Sequence, residues 1–292
     1  MVEIDKLRAN AGEKISLKDY SPAYTGKYEE KDAKKKLKKN IDKLDKLQYT
    51  FYAANTHSLL IVLQAMDAAG KDGAIRHVMS GVNPQGCTIH NFKAPSKNEL
   101  EHDFLWRHYT KLPERGQIGI FNRSHYENVL VTKVHPQYIL GEQIPGIESI
   151  KDVNEQFWAS RYEQINNFEK TIHQNGTIVL KFFLHLSKEE QKNRFLDRIN
   201  EADKNWKFSY GDIKEREHWD EYQKAFEEAI SNTSTKNAPW YIIPADNKWF
   251  SRIAISDIII ETLKSLDLKI PELEQKEMAK LEEAKQILLN NK

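Results

Sequence analysis

Cysteine is all but missing from this chain of 292 residues: Cys87 stands alone. An internal disulfide framework is therefore excluded, and a reducing compartment is expected. Net charge is nearly missing as well. Lys and Arg total 44 against 43 for Asp and Glu, a formal balance of +1. No global field then draws the chain to a polyanion, and any basic groove has to be assembled locally. No apolar run approaches the length of a bilayer crossing, and the opening MVEIDKLRAN lacks an apolar signal core. A cytoplasmic protein with no nucleic-acid and no membrane partner is expected. Repeats, low-complexity tracts and linkers are also absent, so one domain is expected over 1–292, with ample material for a core.

What the sequence does hold is an alternation of strands and helices. Segments 58–65, 87–92, 117–122, 177–186 and 240–244 read as strands, separated largely by helical patterns. The first, third and fourth are apolar enough to be central. Such alternation predicts an α/β fold: a five-stranded parallel sheet with helices on both faces. Residues 1–27 look irregular, with Ser21-Pro22 as punctuation. Leu37, Ile41, Leu44 and Leu47 then recur at helical spacing between Tyr28 and about Tyr52. The lysine-rich stretch 34–39 on this helix reads as a solvated face.

Residues 61–80, IVLQAMDAAGKDGAIRHVMS, carry the most informative pattern, an apolar strand that runs through DAAGKDG into a helix. Backbone N–H groups in such a turn point inward and the next helix offers its positive end, so Ala68, Ala69, Gly70, Lys71, Asp72 and Gly73 can cradle phosphates. The common pattern is G-x-x-x-x-G-K-[ST]. Here Ala65 replaces the first glycine and Asp72 the hydroxyl that normally ligates magnesium. Asp67 is the candidate to make up that loss, because a carboxylate beside bound phosphates needs a divalent cation between them. Hard oxygen ligands of this kind suit Mg²⁺.

A second motif, IGIFNRSHYENVLV at 118–131, places Asn122 where a strand beside a phosphate loop usually ends in a metal-organising acid. Asn122 brings no charge, and Glu127 is expected to restore it. Arg123 offers a fork suited to phosphate oxygens, whereas His125 is given no proton-transfer task. A third segment, 187–222, reads as a helical lid. Arg194 and Arg198, four apart, share a helical face, and Lys207 follows in an aromatic stretch broken by Gly211. These cations are expected to close over phosphates, with Trp206 and Phe208 packing structurally.

Taken together the chain resembles the family-2 polyphosphate kinases, a branch of the P-loop kinase fold related in shape to thymidylate kinases. The resemblance rests on AMDAAGKDG at 65–73, NPQG at 83–86, HDFLWR at 102–107 and FNRSHYENVL at 121–130. It continues through NGTIVLKFFLHLSKEEQKNRF at 175–195, NWKFSYGD at 205–212 and APWYIIPADNKWFSR at 238–252. It implies a P-loop kinase domain with a helical extension over 1–55, a lid over 187–222 and a C-terminal helix over 270–292. It also implies transfer of the terminal phosphoryl group of inorganic polyphosphate to a nucleotide, or the reverse, with Mg²⁺.

Carried over, Asp67 through Gly73 form the phosphate loop with Asp67 serving the metal, Asn122 and Arg123 the Walker B-like end, and Arg194, Arg198 and Lys207 the lid. Many relatives read DRSWYN where this chain reads NRSHYE. The Asn122 and Glu127 pattern looks like class III, whose members take both AMP and ADP. Donor and acceptor are polyanions, so a channel lined by Lys71, Arg76, Arg123, Lys133 and the lid is expected to lower their repulsion. ATP is then product or reverse substrate, and a homo-oligomer is expected. An ATP-dependent nucleoside monophosphate kinase and a binding module without turnover stay open, the first distinguished by its choice of donor.

Overall fold

The computed structural model describes residues 1–290. Its centre is a five-stranded, wholly parallel sheet of β1 (Ser58–Ala65), β2 (Cys87–Asn91), β3 (Ile118–Asn122), β4 (Thr177–His185) and β5 (Trp240–Pro244), in the order β2-β3-β1-β4-β5. The three strands that read as most apolar are the three inner ones. Central parallel strands are buried on both faces, which is why SLLIVLQA and IGIF are continuous apolar runs rather than alternating ones. In register, Leu63 of β1 lies beside Asn122 of β3 and Phe182 of β4, so the ends of the inner strands meet at one rim.

Helices cover both faces. The chain carries α1 (Glu30–Ala54), α2 (Lys71–Val78), the short turns α3 (Lys97–Leu100) and α4 (Trp106–Tyr109), α5 (Glu127–Val134) and α6 (Glu155–Gln174). After β4 come α7 (Lys188–Asn200), α8 (Tyr210–Glu215) and α9 (Trp219–Thr233); α10 (Lys248–Ser265) and α11 (Gln275–Asn290) close the chain. One core joins Leu44, Phe51, Ile75, Val78, Phe250 and Ile253 of α1, α2 and α10 to one sheet face. The other joins Val129, Ile165, Phe168, Phe226 and Ile230 of α5, α6 and α9 to the opposite face. Residues 270–274 of the expected C-terminal helix are not helical, α11 is exposed throughout, and residues 291–292 of that expectation lie outside the described residues.

The N-terminal region expected to be a helical extension is helical only from Glu30, apart from two single 3-10 turns. Ahead of α1 the chain is a strap around the outer edge of β5. Val2 and Leu7 enter one core, Ala9, Ile15 and Leu17 the other, and Arg8 bridges Tyr241 in antiparallel fashion. Leu7 O accepts from Ile242 N at 2.7 Å and Ala9 N donates to Trp240 O at 2.9 Å, so the strap satisfies backbone groups an open edge would expose.

The lysine-rich stretch of α1 is solvated with one exception. Lys36 turns inward and reaches the buried carboxylate of Asp257 on α10 at 2.7 Å. The same carboxylate accepts from Asn40 Nδ2 and from Val2 N, both at 2.8 Å. One acid thus pins the strap, α1 and α10 together. Asp257→Ala removes the acceptor for all three donors and is expected to cost about 3 kcal/mol in urea unfolding, against less than about 0.5 kcal/mol for the exposed Lys34→Ala. Equal stabilities would show that Asp257 pins nothing.

Candidate active site

The loop after β1 is shaped by two left-handed residues, Ala68 at φ 63° and Gly70 at φ 102°. The second value suits glycine alone, and from there the chain enters α2 at Lys71, with Gly70 O accepting from Ala74 N at 2.9 Å. The first amides of α2 have no partner within the helix, so they are free for an anion. Lys71, half-buried, folds back to donate to Ala65 O at 3.1 Å. Burial lowers its pKa, and Asp67 acts against that.

Arg194 does not have the part expected of it. It is buried rather than presented by a lid, and each of its N–H donors is engaged. Nη1 donates to Ala68 O at 3.0 Å and Ala69 O at 2.9 Å, Nη2 to Ala245 O at 2.6 Å and Asp246 O at 3.0 Å, and Nε to Glu190 Oε1 at 2.8 Å. The fork fastens the phosphate loop to the turn after β5. Gln191, on the same helix, donates to Asp67 O at 3.0 Å.

Asn122, expected at the Walker B-like end, turns its amide to the start of α2: Nδ2 donates to Asp72 Oδ1 at 2.7 Å and to Asn91 Oδ1 at 2.6 Å. Arg123, next along, is left-handed at φ 62° and projects to the loop. Its guanidinium lies 3.2 Å from Asp67 and 3.7 Å from Glu127. Burial raises the pKa of Glu127, with Arg123 and Lys71 opposing that rise. His125 points away into the core, facing Glu169 at 3.3 Å.

Asp67, Arg123 and Glu127 line a cavity of about 150 Å³. Its other walls come from residues that sequence reasoning did not select: His135, Tyr138, Asp212, Glu215, Arg216, Tyr222 and Phe226. Glu215 accepts from Tyr222 Oη at 2.7 Å and faces His135 Nε2 at 3.0 Å; Arg216 donates to Lys188 O and Gln191 Oε1, each at 2.8 Å. The only signal for these residues was the SYGD break at the start of α8. The cavity walls carry Asp67, Glu127, Asp212 and Glu215 against Arg123 and Arg216, so the cleft is acidic. Burial, and then Asp67, raises the Asp212 carboxyl above its ordinary pKa.

The remaining expected cations scatter. Arg198 ties α7 to α8 through Asp212 at 3.0 Å. Lys207 lies over the Trp206 ring at 5.0 Å, and Trp206 and Phe208 do not pack as expected: they are 79% and 43% exposed. Lys133 is spent on the contact of α5 with α9, paired with Glu228 and set over the rings of Trp158 and Tyr162, and it does not line the cleft. Arg76 is on the exposed face of α2, also outside the cleft. It belongs to a different group. Arg252 Nη2 comes within 3.8 Å of where a Cβ on Gly73 would stand, and burial, Arg252 and Arg76 lower the pKa of His77. Lys248, at the start of α10, feels Arg194 as a like charge. Among the described residues no ion pair engages Arg76, Lys248 or Arg252.

Residues 27–271 match the family described as polyphosphate kinase 2. The chain is 47% identical over 289 residues to an ADP-polyphosphate phosphotransferase of Rhodopseudomonas palustris, covering 99% of each. It is 42% identical over 271 residues to an AMP/ADP-polyphosphate phosphotransferase of Meiothermus ruber, covering 92% of this chain and 96% of the relative. A crystal structure of polyphosphate kinase 2 from Arthrobacter aurescens TC1 superposes with a TM-score of 0.84 at 36% identity, over 95% of each chain.

Two substitutions probe this geometry. Arg194→Lys keeps the charge but not the fork; it is expected to cost about 2 kcal/mol or more in urea unfolding, against less than about 0.5 kcal/mol for Lys207→Ala. Equal, small losses would return Arg194 to the free cations. Asn122→Asp replaces a shared donor by a second carboxylate against Asp72, which raises the pKa of the pair in the folded state. A raised folded pKa means that stability is intact below the unfolded value of about 4 and lost as pH rises through the folded one. The deficit relative to the parent should therefore be large at pH 7 and shrink toward pH 4 in thermal unfolding; a deficit independent of pH would contradict the contact.

Proposed function

The chain belongs to the polyphosphate kinase 2 family, and from that premise we propose that it transfers the terminal phosphoryl group of inorganic polyphosphate to AMP and ADP, giving ADP and ATP, and runs the reverse. It is a phosphotransferase with the P-loop kinase fold. The observation that carries the reading is the position of the phosphate loop between two unlike surfaces. On one side is the acidic cleft, lined by Arg123 together with His135, Tyr138 and Tyr222. On the other side stand Arg76, Arg252 and Lys248, cations in no direct ion pair among the described residues, though Glu190 and Asp197 act on Lys248 from farther off.

A nucleotide suits such a lining, its phosphate met by Arg123 and its ring by the aromatic side chains. A long phosphate chain lacks bases and needs only cations, which the second surface supplies. Transfer between them asks for alignment and charge neutralisation rather than covalent catalysis. A terminal phosphate oxygen of AMP or ADP is already ionised near neutral pH, so no general base is required of Asp67. Lys71 is placed to leave Ala65 O for a phosphate oxygen, and Arg123 to meet the charge of the migrating group.

The acid content of the cleft supports Mg²⁺. Asp67, Glu127 and Asp212 are hard oxygen donors lining one cavity, where a doubly anionic substrate would otherwise be repelled. Asp67, with Glu127 or Asp212, would hold the ion, which supplies charge neutralisation between substrate phosphates when bound. No group of three or more His, Cys, Asp or Glu forms a closed metal cage among the described residues. Mg²⁺ ordinarily keeps several waters and needs no such cage.

The purified protein should make ADP and ATP from AMP with polyphosphate as sole donor, and lose that activity when Mg²⁺ is chelated. Lys71→Ala and Arg123→Ala should each lower kcat by about 10³ with the fold intact by circular dichroism. Turnover with ATP as the only accepted donor would instead make this a nucleoside monophosphate kinase.

A further inference from the structure

Beneath Arg123 lies a charged pair that the transfer itself does not use. Lys181 in the middle of β4, Glu169 on α6 and Tyr126 ahead of α5 are all buried. The Lys181 ammonium donates to Glu169 Oε2 at 2.6 Å, to Thr233 O at 2.7 Å and to Tyr126 Oη at 2.8 Å. The Tyr126 hydroxyl passes its own hydrogen to Glu169 Oε1 at 2.8 Å, the same oxygen that faces His125 Nε2 at 3.3 Å. Burial alone would raise the Glu169 carboxyl, yet Lys181 and His125 hold it below its ordinary range. Every hydrogen of the ammonium is used, and both carboxylate oxygens are engaged.

The residues tied by this network are the ones that follow Arg123 directly. At φ 62° Arg123 occupies a conformation that a side chain with a Cβ keeps only where its surroundings over-determine it. Ser124 Oγ accepts from Gln64 Nε2 at 3.0 Å, and His125 and Tyr126 are fixed by Glu169 and Lys181. Glu127 comes next and faces the cleft. Stability does not require charges here, since a buried ion pair is often matched by apolar side chains of similar volume. What apolar side chains cannot supply is direction. We propose that the buried Lys181–Glu169 pair, acting through His125 and Tyr126, is a positioning device that holds Arg123 and Glu127 aimed into the cleft.

The inference rests on the proposed transfer for one of its readouts, so a second readout does not need activity. In Lys181→Met/Glu169→Leu, which removes both charges together but takes a partner from Tyr126 Oη, Thr233 O and His125 Nε2, the melting temperature should fall while the fold is retained by circular dichroism. Its kcat should fall about 10- to 100-fold with KM for either substrate changed by less than about twofold. Backbone amides at 123–127 should exchange with deuterium about tenfold faster while those of β1 hold. In an Arg123→Ala/Glu127→Ala background the same two substitutions should change the residual kcat by less than about twofold, because both groups they position are gone. If the double variant does not fold, Tyr126→Phe, which keeps the ion pair and severs only the hydroxyl link, should show the same pattern at smaller amplitude. Parental kcat and exchange in a folded variant would overturn the proposal, and so would a full additional loss in the background that lacks both Arg123 and Glu127. A parental enzyme without turnover would count against the proposed function instead, leaving the exchange result to decide this one.

Discussion

The guanidinium of Arg194 is the constraint on which the site depends. A phosphate loop works by presenting N–H groups, and in a trans peptide each N–H points opposite to the carbonyl before it. By gathering the carbonyls of Ala68 and Ala69 on one side, Arg194 leaves the Gly70 amide and the start of α2 to the other. The same fork holds Ala245 and Asp246, so the turn after β5 and the turn after β1 move as one body. Only arginine offers a planar set of donors with this reach, and a lysine would satisfy some of these carbonyls and strand the rest.

A rigid loop is then free to separate two electrostatic tasks. With a formal charge of +1 over 292 residues, the chain cannot attract polyanions as a whole. It concentrates acids on the α5, α8 and α9 side of the loop and leaves cations unpaired on the α2 and α10 side. An acidic cleft without cations would reject a nucleotide, whereas a basic one would compete with the metal for its carboxylates. Under the proposed function, binding of the acceptor and binding of the metal would be interdependent for this reason.

Most of the fold was legible because parallel strands buried on both faces announce themselves as apolar runs, and the loop from Asp67 to Gly73 because glycine and lysine follow such a run directly. The strap was not legible, since Val2, Leu7, Ile15 and Leu17 follow no period. Arg194 was found by spacing but misassigned, because spacing gives the face of a helix and not the neighbour it meets. Lys133 misled for the same reason. The cleft was only half legible: Asp67 and Glu127 were named, but Asp212 and Tyr222 within the segment 187–222 were not, and the order of the strands is what brings these three distant segments together. Lys181 was hidden inside TIVLKFFLH, where one lysine does not interrupt an apolar strand and its partner lies on a different element.

The departures from the common phosphate-loop pattern make sense as a pair. Asp72 stands where a hydroxyl usually helps the metal, and an unshielded carboxylate there would repel the substrate. Asn122, the amide where an acid is usual, answers it by donating to Asp72 and Asn91 at once. An acid at both positions would place two negative charges within hydrogen-bond distance at the mouth of a site that must accept phosphates. An amide at both would leave the start of α2 without the anion that its positive end favours. The charge removed at the end of β3 reappears on α2 and, closer to the substrate, in Glu127 and Asp67. The exchange therefore shifts negative charge from the strand to the loop and to α5, where Arg123 sits between the two carboxylates.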